Sequence, residues 1–190
     1  MRLGIAHHLG WAVAVTASVD HQVVDRRRIE LIEPGLPTAP IHHAGGPHLL
    51  HRLAQPLDDD ALAALVADVR ASVVRATSRA LDGLAASLPR PITSMSLRAW
   101  PAEFPRDIAR QRRAPYESRA DSVMYCEVLA EAARDRGWAL SRYRAQDVEA
   151  EAIRILGSRA AEVLESPRAT LGPPWTKDHR TALAATVVVT

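Results

Sequence analysis

The stretch Arg2–Val15, RLGIAHHLGWAVAV, decides how the rest of the chain is read. Arg2-Leu3-Gly4-Ile5-Ala6 has the composition of a β-strand, and Trp11-Ala12-Val13-Ala14-Val15 that of a second. His7-His8-Leu9-Gly10 lies between them, short enough for a hairpin corner, with Gly10 supplying the backbone freedom. A third strand is expected over 23–32. Ile29 and Leu31 alternate there with Arg28, Glu30 and Ile32, the period of two that puts apolar residues on one face. The two histidines therefore fall at the end of a central strand, where polar groups are both exposed and rigidly held.

A chain of 190 residues that is 47% hydrophobic has the length of one domain with a real core, so residues 1–190 are expected to form a single domain. No apolar run approaches the roughly 20 residues of a membrane span, and the N-terminus lacks a signal-peptide pattern. The single cysteine, Cys126, leaves no internal disulfide and suits a reducing, cytoplasmic setting. The net charge of +2 does not by itself call for a nucleic-acid partner. Nearly all the positive charge is arginine, with Lys177 the one lysine. Arginine suits bidentate pairing with phosphate or carboxylate, although an Arg- and Ala-rich chain also follows from GC-rich coding.

After the three strands, 33–56 holds five prolines with Gly35, Gly45 and Gly46, which excludes a regular element of any length. His42, His43, His48 and His51 fall within it. Four neutral imidazoles could ligate a divalent metal, or form a polar surface loop, and their spacing matches no standard zinc pattern. Asp58-Asp59-Asp60 then reads as the start of a long helix, with Leu62, Leu65, Val66, Val69 and Val73 at helical spacing. Pro89-Arg90-Pro91 ends it, and 92–100 alternates as a fourth strand. A second long helix is expected from about Tyr116 to Arg136, stopped by Gly137. A fifth strand follows over 138–143 and a helix over 148–156. A charged segment runs to Glu165, a loop covers 167–174, and a last helix runs from Thr181 to about Val187.

Three strands, helix, strand, helix, strand, then helices is an order that resembles the ribonuclease H-like fold. GIAHHLGWAVAV, from Gly4 to Val15, is similar to a shortened first hairpin of the Holliday-junction resolvases, whose strand carries Gly-Ile-Asp before a glycine turn. Asp178-His179-Arg180-Thr181-Ala182-Leu183-Ala184-Ala185 resembles their closing helix, which reads acid, two residues, acid, then Ala-Leu-Ala. The resemblance implies an α/β fold: a five-stranded mixed sheet, its first three strands antiparallel, flanked by helices. It also implies a nuclease acting through two Mg²⁺ or Mn²⁺ ions held by about four carboxylates. Against that pattern, Ala6 stands at the first acidic position and Thr181 at the last. Asp178 matches, and Glu103 lies a few residues past the fourth strand.

In this fold the ends of the first and fourth strands meet the start of the last helix. That would gather His7, His8, Glu103, Asp178 and His179 as catalytic candidates. His8, Glu103 and Asp178 would be ligands for a divalent metal: Mn, Mg or Zn, with Fe also compatible with a His-carboxylate set. A histidine could instead serve as a general base toward water. Arg98, Lys177 and Arg180 would hold phosphate. Two functions lead: a phosphodiesterase acting on nucleic acid with an altered His/carboxylate metal site, or a catalytically inactive ribonuclease H-like binding or assembly protein; a third, nucleotide binding as in the actin-like ATPases that share the hairpin start, comes after them because His7-His8-Leu9-Gly10 lacks their glycine-rich phosphate loop. Trp11, Trp100 and Trp175 could stack on bases or belong to the core. A homodimer through the 116–136 helix is also expected from the resemblance.

Overall fold

The computed structural model describes residues 1–45 and 55–188; His48 and His51 lie outside them. Its centre is the hairpin. β1 (Arg2–His7) and β2 (Trp11–Ala17) pair antiparallel, with Ile5 opposite Ala14 and His7 opposite Ala12. Gly10 sits at φ +89°, a left-handed conformation that closes the corner at little cost for glycine. β3 (Val23–Glu30) runs antiparallel to β2, with a register shift at Thr16/Ala17. β4 (Ser94–Arg98) and β5 (Ala139–Tyr143) add parallel to β1 on its other side. Among the described residues this makes one five-stranded sheet in the order β3-β2-β1-β4-β5, the mixed arrangement that the resemblance implied.

Each crossover between parallel strands is a helix. α1 (Asp59–Ala86) links β3 to β4, and the Asp58 carboxylate accepts the Ala61 N–H at its start, 2.8 Å away. A four-residue turn of helix, α2 (Ile108–Gln111), precedes α3 (Glu117–Asp135), which links β4 to β5. α1 and α3 cover one face of the sheet, over Leu3, Ile5, Ala12, Ala14, Met95 and Leu97. The other face carries Ala6, Val13, Val15 and Tyr143 against α4 (Val148–Leu156) and, after the short helices α5 (Ala160–Leu164) and α6 (Ser166–Leu171), α7 (Lys177–Val187). The alternation along β1 explains the split: odd positions face α1 and α3, even positions face α7.

α7 lies directly on β1 because Gly4 has no side chain. A Cβ there would overlap the Ala182 carbonyl oxygen and come within 2.7 Å of its carbon and 3.1 Å of Thr186 Cγ2. Two expectations change. The last helix starts at Lys177, not Thr181, because Thr176 and His179 form a reciprocal cap that extends it by one turn. The segment expected as a loop from Pro167 begins as α6, with Pro167 in its first turn, where the missing N–H is no loss. α3 spends its apolar side inside the chain, leaving Ser118, Arg119, Glu131, Arg134 and Asp135 as its exposed residues. No helix among the described residues is long and apolar enough to cross a membrane.

Candidate functional site

The adjacent histidines of the hairpin part company. His7 ends β1 with the odd-position parity, so its ring enters the α3 side. His8 lies past the strand and turns toward α7. There its Nε2 meets Asp178 Oδ2 at 3.0 Å, both groups partly exposed. The His8 ring stacks on Trp11, with centroids 4.1 Å apart and planes 13° from parallel. Arg28 of β3 lies over Trp11 as well, 4.2 Å from the ring. Such a stack fixes the imidazole plane, and the carboxylate fixes which nitrogen it offers. Tyr143, at the end of β5, donates its hydroxyl to the Ile5 carbonyl at 2.7 Å, between the two sides.

On the α3 side, His7 Nε2 is 3.3 Å from Ser122 Oγ and 3.4 Å from Cys126 Sγ. Its Nδ1 is buried with no hydrogen-bond partner among the described residues. Burial, helped by the charges of Arg98 and His8, lowers the His7 pKa to about 4, so the ring is neutral at pH 7. The same burial pushes the Cys126 thiol up to about 12 and makes it inert. His7 forms part of the floor of a cleft of about 570 Å³ between the ends of β1 and β4 and the first turns of α3. Asp121 borders it too. Its carboxylate accepts the Ile41 and His42 N–H groups at 3.1 and 3.0 Å, tying the π-helical turn Ile41–Gly45 to α3. Burial nevertheless raises its pKa to about 6.

Arg98 is exposed at the end of β4 and lines the cleft. Glu103 is exposed in the following loop. Lys177 is exposed in the first turn of α7. His179 is buried and faces its own helix start: Nδ1 accepts the Thr176 N–H at 3.2 Å, a structural cap. Arg180 lies 3.6 Å from Glu149 of α4, whose other oxygen accepts the Thr181 hydroxyl at 3.1 Å. His42 and His43 hold their rings 5.4 Å apart in the turn 41–45. Sequence reading missed Glu117, Asp121 and Ser122, all on the cleft. An acid inside the apolar run Ala120-Asp121-Ser122-Val123-Met124 was the available signal.

The donor set does not fit a pair of hard divalent ions, which need several oxygen ligands. Ala6 puts a buried methyl group on the α7 side of β1. The end of β4 contributes a cation, Arg98, and α7 contributes Asp178, already paired with His8. Among the described residues no group of three or more His, Cys, Asp or Glu side chains is placed to hold a metal.

The strand order, strand directions and helix placement define an α/β fold of the ribonuclease H-like type. Two solved structures are similar over nearly the whole chain. Thermus thermophilus RuvC is 14% identical, with 98% of this chain and 90% of that chain covered and a TM-score of 0.48. T. thermophilus RuvC in complex with Holliday junction substrate is 13% identical, with 98% and 89% covered and a TM-score of 0.46. At that identity the likeness concerns the course of the backbone and not the site. No protein-family model matches the chain, and no curated protein does.

Proposed function

We propose that the protein binds the phosphate backbone of a nucleic acid where the ends of β1 and β4 meet the start of α7, and does not cleave it by two-ion chemistry. The observation that carries this reading is the His8–Asp178 pair, bordered by Ala6 and Arg98 where two-ion hydrolysis requires carboxylates. A single carboxylate beside Arg98 and Lys177 favours an anion over a pair of cations. Arg98 and Lys177 are exposed and free to follow a strand, and the N-terminus of α7 adds a favourable partial charge. The Arg28–Trp11–His8 stack gives the same surface a flat edge.

Binding is tested by fluorescence anisotropy with a labelled single strand, duplex and four-way junction at several salt concentrations. A backbone-binding surface gives an affinity that falls steeply with salt, less steeply in Arg98→Ala and Lys177→Ala. Salt-independent binding, or none, refutes the proposal. The same His8–Asp178 geometry supports a second reading, in which Asp178 orients His8 as a general base toward water or a ribose hydroxyl. Cleavage of the labelled strands in chelator, lost in His8→Ala, would establish that role. Cleavage that needs Mn²⁺ and is lost in Asp178→Ala would overturn the first reading.

A further inference from the structure

We propose that the cleft between the end of β1, the end of β4 and the start of α3 is a nucleotide pocket, taking the base against its floor and the phosphate at its mouth. The inference rests on the backbone-binding reading only for where such a nucleotide would come from. The pocket itself is argued from its own walls. At about 570 Å³ it is large enough for a nucleobase with its sugar.

The floor is polar and neutral or acidic. His7 is 7% exposed, and its Nδ1 lacks a hydrogen-bond partner among the described residues. Ser122 Oγ, on the same ring at 3.3 Å, can donate or accept. Glu117 and Asp121, each 3% exposed, border the cleft and give its floor an acidic character, Asp121 with one lone pair on each oxygen already taken by the Ile41 and His42 N–H groups. The mouth is opposite in character: Arg98 and Arg119 line it and are exposed. Cations outside and acceptors inside suit a ligand with an anionic tail and an uncharged head that donates hydrogen bonds. A nucleotide whose base carries an exocyclic amino group has that polarity. Uracil and thymine offer only the ring N–H in place of the two amino hydrogens, so the pocket favours adenine and cytosine over them.

Two sources share this chemistry: a free nucleotide, or a nucleotide extruded from a bound strand, for which Arg98 is common to the cleft and the backbone surface. Calorimetric titration of the full chain with AMP, CMP, UMP and inorganic phosphate tests the first. A strand carrying 2-aminopurine, whose emission rises on unstacking, tests the second. The blocking variant is Ser122→Leu, with its thermal unfolding checked against wild type, and Glu117→Gln is the conservative companion. Binding of AMP or CMP at least about tenfold tighter than UMP and phosphate, lost in Ser122→Leu, supports the pocket for free nucleotides. A 2-aminopurine signal that Ser122→Leu removes, without free-nucleotide binding, supports the extruded source. Equal binding of all four small ligands reduces the cleft to an anion site and overturns the proposal. No titration heat and no fluorescence change overturn it too, while salt-dependent anisotropy on the same strand would leave the backbone reading standing. Tight AMP binding with no strand binding would do the reverse.

Discussion

Gly4→Ala is a small substitution with a large expected cost. Gly4 is the point where α7 rests on β1, and its missing side chain sets the distance between them. An added methyl group overlaps the Ala182 carbonyl oxygen and sits 2.7 Å from the carbonyl carbon. Ordinary carbon–carbon contact is about 3.5 Å, so the methyl is short by about 0.8 Å at the carbon and by more at the oxygen. Both atoms are backbone, so no rotamer change relieves the overlap. α7 must lift by about 1 Å, loosening the contacts of Ala182, Leu183 and Ala185, all at most 1% exposed. Overpacking of this kind costs about 3 kcal/mol. For a chain of this size that corresponds to a fall in Tm of about 6–12 °C. Urea and thermal unfolding measure it. Gly83→Ala is the control: Gly83 is an exposed position of helix α1 with open space around its Cβ position, and the substitution should stabilise by about 0.5–1 kcal/mol. A Gly4→Ala protein within about 1 kcal/mol of wild type, with Gly83→Ala behaving as stated, would refute the close packing of α7 on β1.

Two buried groups should oppose each other in acid. His7 is held neutral down to about 4 against an ordinary 6.5, so the unfolded chain takes up the proton first and its contribution is lost as pH falls through that window. Asp121, raised from 3.8 to about 6, does the reverse: its contribution is present at low pH and lost as pH rises through 6. Each amounts to about 3 kcal/mol, so between pH 6 and 4 they nearly cancel each other, and Asp121→Asn should make stability fall by about 3 kcal/mol more than wild type from pH 6.5 to 4; a urea-melt profile parallel to wild type would contradict this. Arg112 donates to the Gly45 and Leu57 carbonyls at 3.0 and 2.6 Å and pairs with Asp59, so Arg112→Ala should cost about 2 kcal/mol in urea unfolding. Arg98→Ala and Lys177→Ala should each reduce the log–log salt slope of strand binding by about 0.7–0.9, with little change in Tm.

The sheet was legible because its signals are local. Gly10 at the corner, alternation at Ile29 and Leu31, and the acidic cap at Asp58 each specify their own few residues, and all three hold in the structure. The start of α7 was less legible. Its cap couples Thr176 to a histidine where Glu or Gln is the usual partner, so the pattern did not announce itself. Side-chain direction was harder again. Asp178 and His8 do meet, but Asp178 and His179, neighbours in the chain, face different things: one the hairpin, the other its own helix cap. Asp121 and Glu117 were passed over because a helix hides which of its acids are buried until the elements that bury them are known. Asp121 is explained by the turn at Ile41 and His42, about 80 residues away in sequence.

The separation of His7 from His8 accounts for much of what this site can and cannot do. A dihistidine at the end of a strand reads as one pair of ligands, but a period of two assigns successive residues to opposite faces. His7 follows Leu3 and Ile5 into the space under α3, where it loses its charge and borders the cleft. His8 turns to the face of Gly4 and Ala6, where small residues let α7 approach and present Asp178. On that face α7 comes close enough at Gly4 to leave no room for a side chain, and Ala6, next along the same face, presents only a buried methyl group. Asp178 therefore meets an imidazole, and the imidazole stacks on Trp11, which Arg28 covers in turn. The pairing of His8 with Asp178 and the cleft under α3 are thus two consequences of one register, and they stay coupled, because His8 also lines the cleft and its charge helps hold His7 neutral.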